Sequence, residues 1–420
     1  MNHQYFTMIV NPVLSTIVAP YVRWSHLNSI SSKKRRSRVR KSWRKFSDWL
    51  TDRQFRRYFR MSKVLFQQLC NDIIAAVGPD EFKSEQYLRQ RIDGAAIIPD
   101  RSNNLLIAHH KSTGGFVSGE IKVAITMRVL GGASYLDAAL FFEVSFNHSH
   151  KIFKEVINNW IRHDKFYPIN GIEYCENDAK MQAVALQFSQ SSRGVINGCI
   201  GALDGWLVKI KKPCRRDGVD NPQSFYSRKG FYAVNTQVIV DRNKTVLFRS
   251  IMSRGVEHDS TAFRNSGLYA WLLDNYHALV EKGYHFIGDS AYALKSFLHT
   301  PYDDAPHATA EDDYNYFYSS SRIVVECTFG EIDLRFGILW LPLKYSLKFN
   351  LCVIDACFKV HNFIVKYRDD GTMDERDFQV FDEECRRFYA VTMRYLKELR
   401  EESEIFGVVG TAILIEGGGS

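Results

Sequence analysis

The chain has 420 residues, 45% hydrophobic and 24% charged, and a formal net charge of +8. Its length and apolar content exclude a disordered polypeptide or a single small module and fit two or three domains with cores of their own. Eight cysteines, at 70, 175, 199, 214, 327, 352, 357 and 385, form no Cys-x-x-Cys pair, and no His-x-His grouping stands with them to frame zinc, since His148-Ser149-His150 lies 25 residues from the nearest, Cys175; they read as reduced, mostly buried thiols.

The apolar segment Phe6 to Val22 is broken by Asn11, Pro12 and Pro20, and its positive charges follow it, the reverse of a secretory signal. Neither secretion nor a membrane span is expected. Lys33 to Lys45 holds nine Lys or Arg and no acid, so the remainder sums to 8 − 9 = −1 and the basicity is local. Such a run is a phosphate-binding arm, here through Lys33, Lys34, Arg35, Arg36, Arg38, Arg40 and Lys41, or a nuclear import signal, and the two often coincide. A solvated stretch without a partner is the plain alternative. Residues 1–45 are therefore expected to be a disordered basic arm, and the nucleus, with or without a cytoplasmic share, the expected compartment.

Residues 46–192 read as helical. Trp49, Phe55, Phe59, Leu65, Phe66 and Leu69 recur at three- and four-residue spacing from Phe46 to Val77. Ser102-Asn103-Asn104 and glycines 114, 115 and 119 mark a loop, after which Ile121 to Leu130 reads as a helix ended by Gly131-Gly132. Over 134–161 two helices, capped by Ser134 and Ser145, flank a tight turn. This helix-turn-helix-like pair would offer Asn147, His148, His150, Lys151 and Lys154 to a DNA groove. A plain helical hairpin in a bundle fits the same spacing.

From Val195 strands appear. Ile196–Leu203 is apolar, Leu207–Ile210 alternates, and Phe231–Val240 pairs with Thr245–Ile251 across Asp241-Arg242-Asn243-Lys244. A helix over Ser260–Leu273, a short strand ending Phe286-Ile287-Gly288, a polar insertion over Thr300–Asn315, and helices over Ser321–Phe336 and Leu351–Tyr367 follow. That order predicts an α/β fold: an RNase H-like mixed sheet with flanking helices over 193–368, preceded by the all-helical region. An acidic helical tail over 369–420 closes the chain, with twelve acids and six bases from Asp369 to Glu404.

Carboxylates carry the functional signal. Taken singly, Asp204 before Gly205 suits a hairpin turn, Asp289 an N-cap of a helical Ser290–Leu294, Asp259 a cap of the next helix, and Glu326 a solvated helix face. Jointly, two aspartates at the ends of apolar strands and a glutamate on a following helix can converge. Three gathered carboxylates repel one another and lose solvation, so such a set exists to hold cations. Oxygen donors without thiolate or imidazole favour two Mg²⁺ (or Mn²⁺) ions, spaced about 3.5 to 4 Å in two-metal sites. No P-loop, Gly-x-Ser-x-Gly elbow or His-Glu-x-x-His helix competes. His361 reads as a core or helix-end histidine, and His258 as an open candidate beside Asp259.

Several ordered words then carry a family resemblance from about Phe55 to Val365: Phe55-Arg56-Arg57-Tyr58-Phe59-Arg60-Met61, Gly201-Ala202-Leu203-Asp204-Gly205, the stretch Tyr226 to Asn235, Gly255 to Ser260, Gly288-Asp289-Ser290-Ala291-Tyr292, Tyr314-Asn315, Ser321 to Gly330, and His361-Asn362-Phe363. The chain resembles PIF/Harbinger-type transposases and host nucleases derived from them. The resemblance implies a DDE catalytic core with Asp204, Asp289 and Glu326 as its triad and Asp259 as a further metal ligand. It also implies cutting at transposon ends, joining of a 3′ hydroxyl to TA-rich target DNA, and a separate Myb/SANT-like partner. A homo-oligomer is expected.

Two departures stand out. Trp206-Leu207 replaces a Thr-His pair common in relatives, and Glu331 and Asp333 stand where a basic residue is common. The second shifts DNA binding towards the arm and towards Arg228, Lys229 and Arg322. A captured, non-cleaving DNA-binding protein is the rival reading, and a phosphodiesterase on RNA or a small nucleotide the third.

Overall fold

The computed structural model describes residues 43–77, 117–162 and 167–369. The basic run Lys33 to Lys41, the loop at Ser102–Gly115 and the acidic tail beyond 369 lie outside the described residues.

The helical stretch predicted from Phe46 to Val77 divides into α1 (Trp43–Trp49), α2 (Asp52–Phe59) and α3 (Lys63–Val77). Local chemistry sets the breaks. Thr51 and Gln54 form a capping box that opens α2, Arg60 ends it in the left-handed region at φ 63°, and Ser62 Oγ accepts the Leu65 N–H at 3.1 Å to open α3. Phe55, Phe59 and Phe66 are fully buried against one another and against Trp43.

Next come α4 (Gly119–Leu130), α5 (Tyr135–Phe141) and α6 (Phe146–Arg162). Ser134 Oγ accepts the Leu136 N–H at 3.1 Å and Ser145 Oγ the His148 N–H at 3.4 Å, so both serines cap the helices assigned to them in the sequence. α6 packs on α3, α4 and α5. Two short helices, α7 (Gly171–Cys175) and α8 (Asp178–Ser191), lie against the sheet.

The sheet contains β1 (Cys199–Lys209), β2 (Ala233–Val240), β3 (Val246–Arg254), β4 (His285–Ile287) and β5 (Leu298–His299), in the order β3-β2-β1-β4-β5. β1, β2 and β3 are antiparallel neighbours, while β4 runs parallel to β1 and β5 parallel to β4. The hairpin reading of Asp204-Gly205 is corrected here. β1 pairs with β2 without interruption from Ala202 to Lys209, so both residues sit in mid-strand.

The helix predicted over Ser260–Leu273 is two helices, α9 (Asp259–Arg264) and α10 (Gly267–Val280), because Ser266 caps the second through the Tyr269 N–H at 3.2 Å. No helix follows Asp289. Its Oδ1 accepts the Ala291 N–H at 3.0 Å in an Asx turn, which satisfies the backbone without a helix. The last six residues of the predicted polar insertion, Ala310 to Asn315, belong to α11 (Ala310–Arg335), whose first turn carries Glu311, Asp312 and Asp313 in the favourable field of the helix N-terminus, with Thr309 as cap.

α12 (Leu347–Asp369) is pinned to the start of β3. Asn362 exchanges two 2.8 Å hydrogen bonds with the Val246 backbone. His361 is fully buried, with Nε2 2.8 Å from the Lys244 carbonyl and Nδ1 2.7 Å from Arg335 Nη1. Guanidinium can only donate, so Nδ1 accepts and Nε2 carries the proton, which makes this a satisfied core histidine. One continuous core joins the helical region to the sheet. Among the described residues no helix is long and apolar enough to cross a membrane.

Candidate active site

Alternation along β1 sends Asp204 and Trp206 to the side of α11 and α12, and Gly205 to the side of α9. Trp206 stacks on Phe329 at 5.2 Å and meets Phe358 edge-on at 5.9 Å, so the departure at Trp206 fills the core beneath the site. Ala202 lies opposite Ile287 across the parallel β1–β4 pair, and two residues further along each chain come Asp204 and Asp289. Glu326 is supplied by α11, one turn after Arg322. The Arg322 guanidinium joins them: Nη1 donates to Asp204 Oδ2 at 3.1 Å and Nη2 donates to Glu326 Oε1.

The electrostatics match this gathering. Asp204 is pushed up to about 6, first by burial and then by the like charges of Asp289 and Glu326, against the Gly205 N–H at 2.8 Å and Arg322. For Arg322 burial works against the charge, but Asp204, Glu326 and Asp289 outweigh it and raise the guanidinium further. It therefore stays a cation between acids.

Asp259 opens α9 and enters from the Gly205 side. Asn235 Nδ2 and Gln237 Nε2 donate to its Oδ1 at 2.9 and 3.2 Å, and Arg228 Nη2 lies 3.8 Å from Oδ2. The approach depends on the missing side chain at 205, where a Cβ would sit 2.0 Å from Asp259 Oδ1. Tyr292 donates its hydroxyl to Gln237 Oε1 at 2.6 Å, tying the Asp289 loop to the same amides. Its phenol is raised well above the ordinary value by burial, then by the charges of Asp204, Asp259 and Asp289. All three aspartates thus act on the one hydroxyl.

Four positioning side chains escaped the sequence reading: Asn235, Gln237, Tyr292 and Tyr318. The first two are polar residues in a strand buried on both faces, a legible anomaly, because a buried amide must be hydrogen-bonded. Tyr318 gives no such signal. Its buried hydroxyl lies 2.7 and 2.6 Å from the carbonyls of Gly288 and His299 and accepts the Gly288 N–H at 3.0 Å, fixing the strand end that carries Asp289.

Among the described residues, no three of His, Cys, Asp and Glu stand close enough to share one metal ion. The donor chemistry nevertheless suits a hard cation: the carboxylates that act on one another offer oxygen alone, and their mutual repulsion is relieved by positive charge. In this arrangement Arg322 supplies that charge.

The other candidate residues are dispersed. Arg228 and Lys229 are exposed in the turn before β2, and Lys151 and Lys154 on α6. Lys154 Nζ lies 5.7 Å over the Phe349 ring and His150 stacks on Tyr345, so that edge of α6 faces the start of α12, while Asn147, His148 and Lys151 are exposed. Glu331 pairs with Lys244, and burial pushes Asp333 up to about 7 against the pull of Lys209. His258 stands at the head of α9 and its side chain caps nothing.

Sequence comparison with known proteins covers the residues that build this site. A family model described as DDE superfamily endonuclease matches residues 203–362. The protein named "Putative nuclease HARBI1" is similar in two species: the Bos taurus protein is 28% identical over 202 residues, 47% of this chain and 54% of that protein, and the Homo sapiens protein 27% over the same length and shares. "Protein ALP1-like" of Arabidopsis thaliana is 21% identical over 290 residues, 63% of this chain and 65% of that protein. The chain thus spans about half the length of these two relatives. No solved structure matches. Residues 203–362 are thus similar to the DDE superfamily endonuclease family, in agreement with the PIF/Harbinger-type resemblance of the motifs.

Proposed function

We propose that this protein is a metal-dependent DNA endonuclease of transposase type, cutting phosphodiester bonds at transposon ends and transferring the freed strand. The observation that carries the reading is the Arg322 guanidinium bridging Asp204 on β1 and Glu326 on α11, with Asp289 near enough to act electrostatically on both Asp204 and Arg322. We read the strand order, three antiparallel strands followed by two parallel ones, as RNase H-like.

In this reading Asp204, Asp289 and Glu326 hold the divalent cations, two Mg²⁺ or Mn²⁺. Asp259, gripped by Asn235 and Gln237, adds a carboxylate from the other side of β1. The ions, when bound, polarise a phosphate and lower the pKa of a water. The chain's own work is placement: Tyr318 and Tyr292 hold the Asp289 loop, Gly205 admits Asp259, and Trp206 gives Asp204 a packed floor. In-line attack by water or a 3′ hydroxyl needs such placement and no side-chain nucleophile.

DNA as substrate, a Myb/SANT-like partner, self-association, and nuclear entry through Lys33 to Lys45 belong to the same proposal. Incubating supercoiled plasmid or repeat-end DNA with Mg²⁺ beside an Asp204→Ala variant tests it. Nicking by the unaltered chain alone is expected. DNA binding without nicking by either protein would instead favour the non-cleaving DNA-binding reading, against which the retention of all three carboxylates in the sequence argues.

A further inference from the structure

From Lys209 to Tyr232, the end of β1 and its connection to β2 carry seven bases, Lys209, Lys211, Lys212, Arg215, Arg216, Arg228 and Lys229, against two acids, Asp217 and Asp220, a local excess of 7 − 2 = +5. All seven bases are exposed. Among the described residues only Arg228 comes near a carboxylate, Asp259, at 3.8 Å; no acid lies within ion-pair distance of the other six. Asp217, beside Arg215 and Arg216, spends its oxygens elsewhere, accepting the Cys214 N–H at 3.0 Å and the Leu347 N–H at 2.9 Å.

The connection is held in shape while its charges stay free. Lys211 N–H donates to the Leu343 carbonyl at 2.9 Å, Leu343 N–H returns to Lys209 at 3.1 Å, Ile210 N–H donates to Tyr232, and Ser227 N–H to Phe231. Phe231 and Tyr232 lie between the bases, with Lys209 Nζ 5.1 Å and Lys212 Nζ 5.8 Å from their ring centroids. A row of exposed cations on a held backbone, with few acids beside it, gains much from a polyanion, whose condensed counterions it releases.

We propose that this connection is the surface on which the sugar–phosphate backbone of duplex DNA lies as it enters the carboxylate site, with Lys209, Lys211, Lys212, Arg215 and Arg216 contacting phosphates. Its near end is Arg228, beside Asp259. Its far end follows β1, where Lys209 is five residues beyond Asp204, about 17 Å at about 3.3 Å per residue. That reach matches roughly five base pairs, since duplex DNA carries one charge per about 1.7 Å of axis. The inference rests on the nuclease reading for the identity of its ligand, not for the existence of the surface.

The test is equilibrium binding of a labelled DNA duplex to the full chain across a salt series without divalent metal, so that no cleavage intervenes. The variant carries Lys211→Ala, Lys212→Ala, Arg215→Ala and Arg216→Ala; these exposed changes should leave the melting temperature unaltered. Its slope of log affinity against log salt should be shallower by about 3 to 4, because each neutralised phosphate contributes about 0.9 to that slope. A charge-preserving variant, with each Lys changed to Arg and each Arg to Lys, should keep the original slope. An unchanged slope in the alanine variant, or no DNA binding by the unaltered chain, would overturn the proposal, as would tighter binding of an RNA duplex than of DNA. The nicking assay fails independently: a flattened slope with no nicking sinks the endonuclease and leaves the surface standing.

Discussion

Gly205→Ala is the sharpest perturbation the site offers. The backbone at 205 is not in the left-handed region, so alanine meets no conformational penalty and the whole effect comes from one methyl group. That Cβ would lie 2.0 Å from Asp259 Oδ1, 2.5 Å from its Cγ and 2.8 Å from Gln237 Nε2. Restoring ordinary contact at 3.4 Å requires Asp259 Oδ1 to retreat by 3.4 − 2.0 = 1.4 Å. The carboxylate then leaves the amides of Asn235 and Gln237, which now hold it at 2.9 and 3.2 Å. Overpacking of this kind costs about 1 to 3 kcal/mol, so the protein should stay folded, with a melting temperature a few degrees lower. A misplacement of about 1 Å can cost about a hundredfold in rate, and Mg²⁺-dependent nicking should fall by at least that much. The assay pairs plasmid nicking with thermal unfolding on the same preparation. A folded Gly205→Ala protein nicking at the original rate would refute the reasoning, since it would mean that Asp259 has no work to do where it lies.

Three other outcomes follow from the same geometry. Arg322→Gln leaves Asp204 and Glu326 without their shared cation; the Glu326 pair, 43% exposed, is screened, so the mostly buried Asp204, 15% exposed, bears most of the cost, and millimolar Mg²⁺ should then raise the melting temperature more than in the unaltered chain, while an equal or smaller rise counts against the competition. Tyr318→Phe strips the hydroxyl that meets Gly288 and His299, costing about 2 kcal/mol and speeding hydrogen exchange at the Gly288 amide; unchanged exchange contradicts the anchoring role. His285 is held down at about 4 by burial and then by His299, its stacking partner at 3.8 Å. Because the folded pKa lies below the ordinary 6.5, the unfolded chain binds the proton first, so this stability is present above about 6.5 and is lost as pH falls towards 4. Chemical denaturation should register about 2 kcal/mol lost between pH 7 and 5, and a His285→Gln variant should lack that component.

The sequence was most legible where the physics is local. Serines 134 and 145 cap the helices assigned to them because an N-cap needs only its own backbone neighbours. The apolar runs into Asp204 and Asp289 read as strands because burial on both faces leaves an unbroken hydrophobic signature. Where a distant interaction competes with a local preference, the reading failed. Asp-Gly favours a turn, yet β2 pairs straight through Asp204 and Gly205. Asp289 suits a helix cap, yet its Asx turn and the Tyr318 clamp on Gly288 stop the chain in an open loop.

The order of the carboxylates, the apolar strands that lead into Asp204 and Asp289, the helix under Glu326, and the family words around them were set by the amino-acid string alone. Only the folded chain decided how they meet. Parallel pairing of β1 with β4 brings Asp204 beside Asp289, and a helix begun at Ala310 turns Arg322 and Glu326 towards them. Asp259 comes from the opposite side of β1 through the gap that Gly205 leaves. Such choices depend on pairing register and on the absence of a single side chain, which no local pattern encodes, because the partners lie from tens to more than a hundred residues apart along the chain.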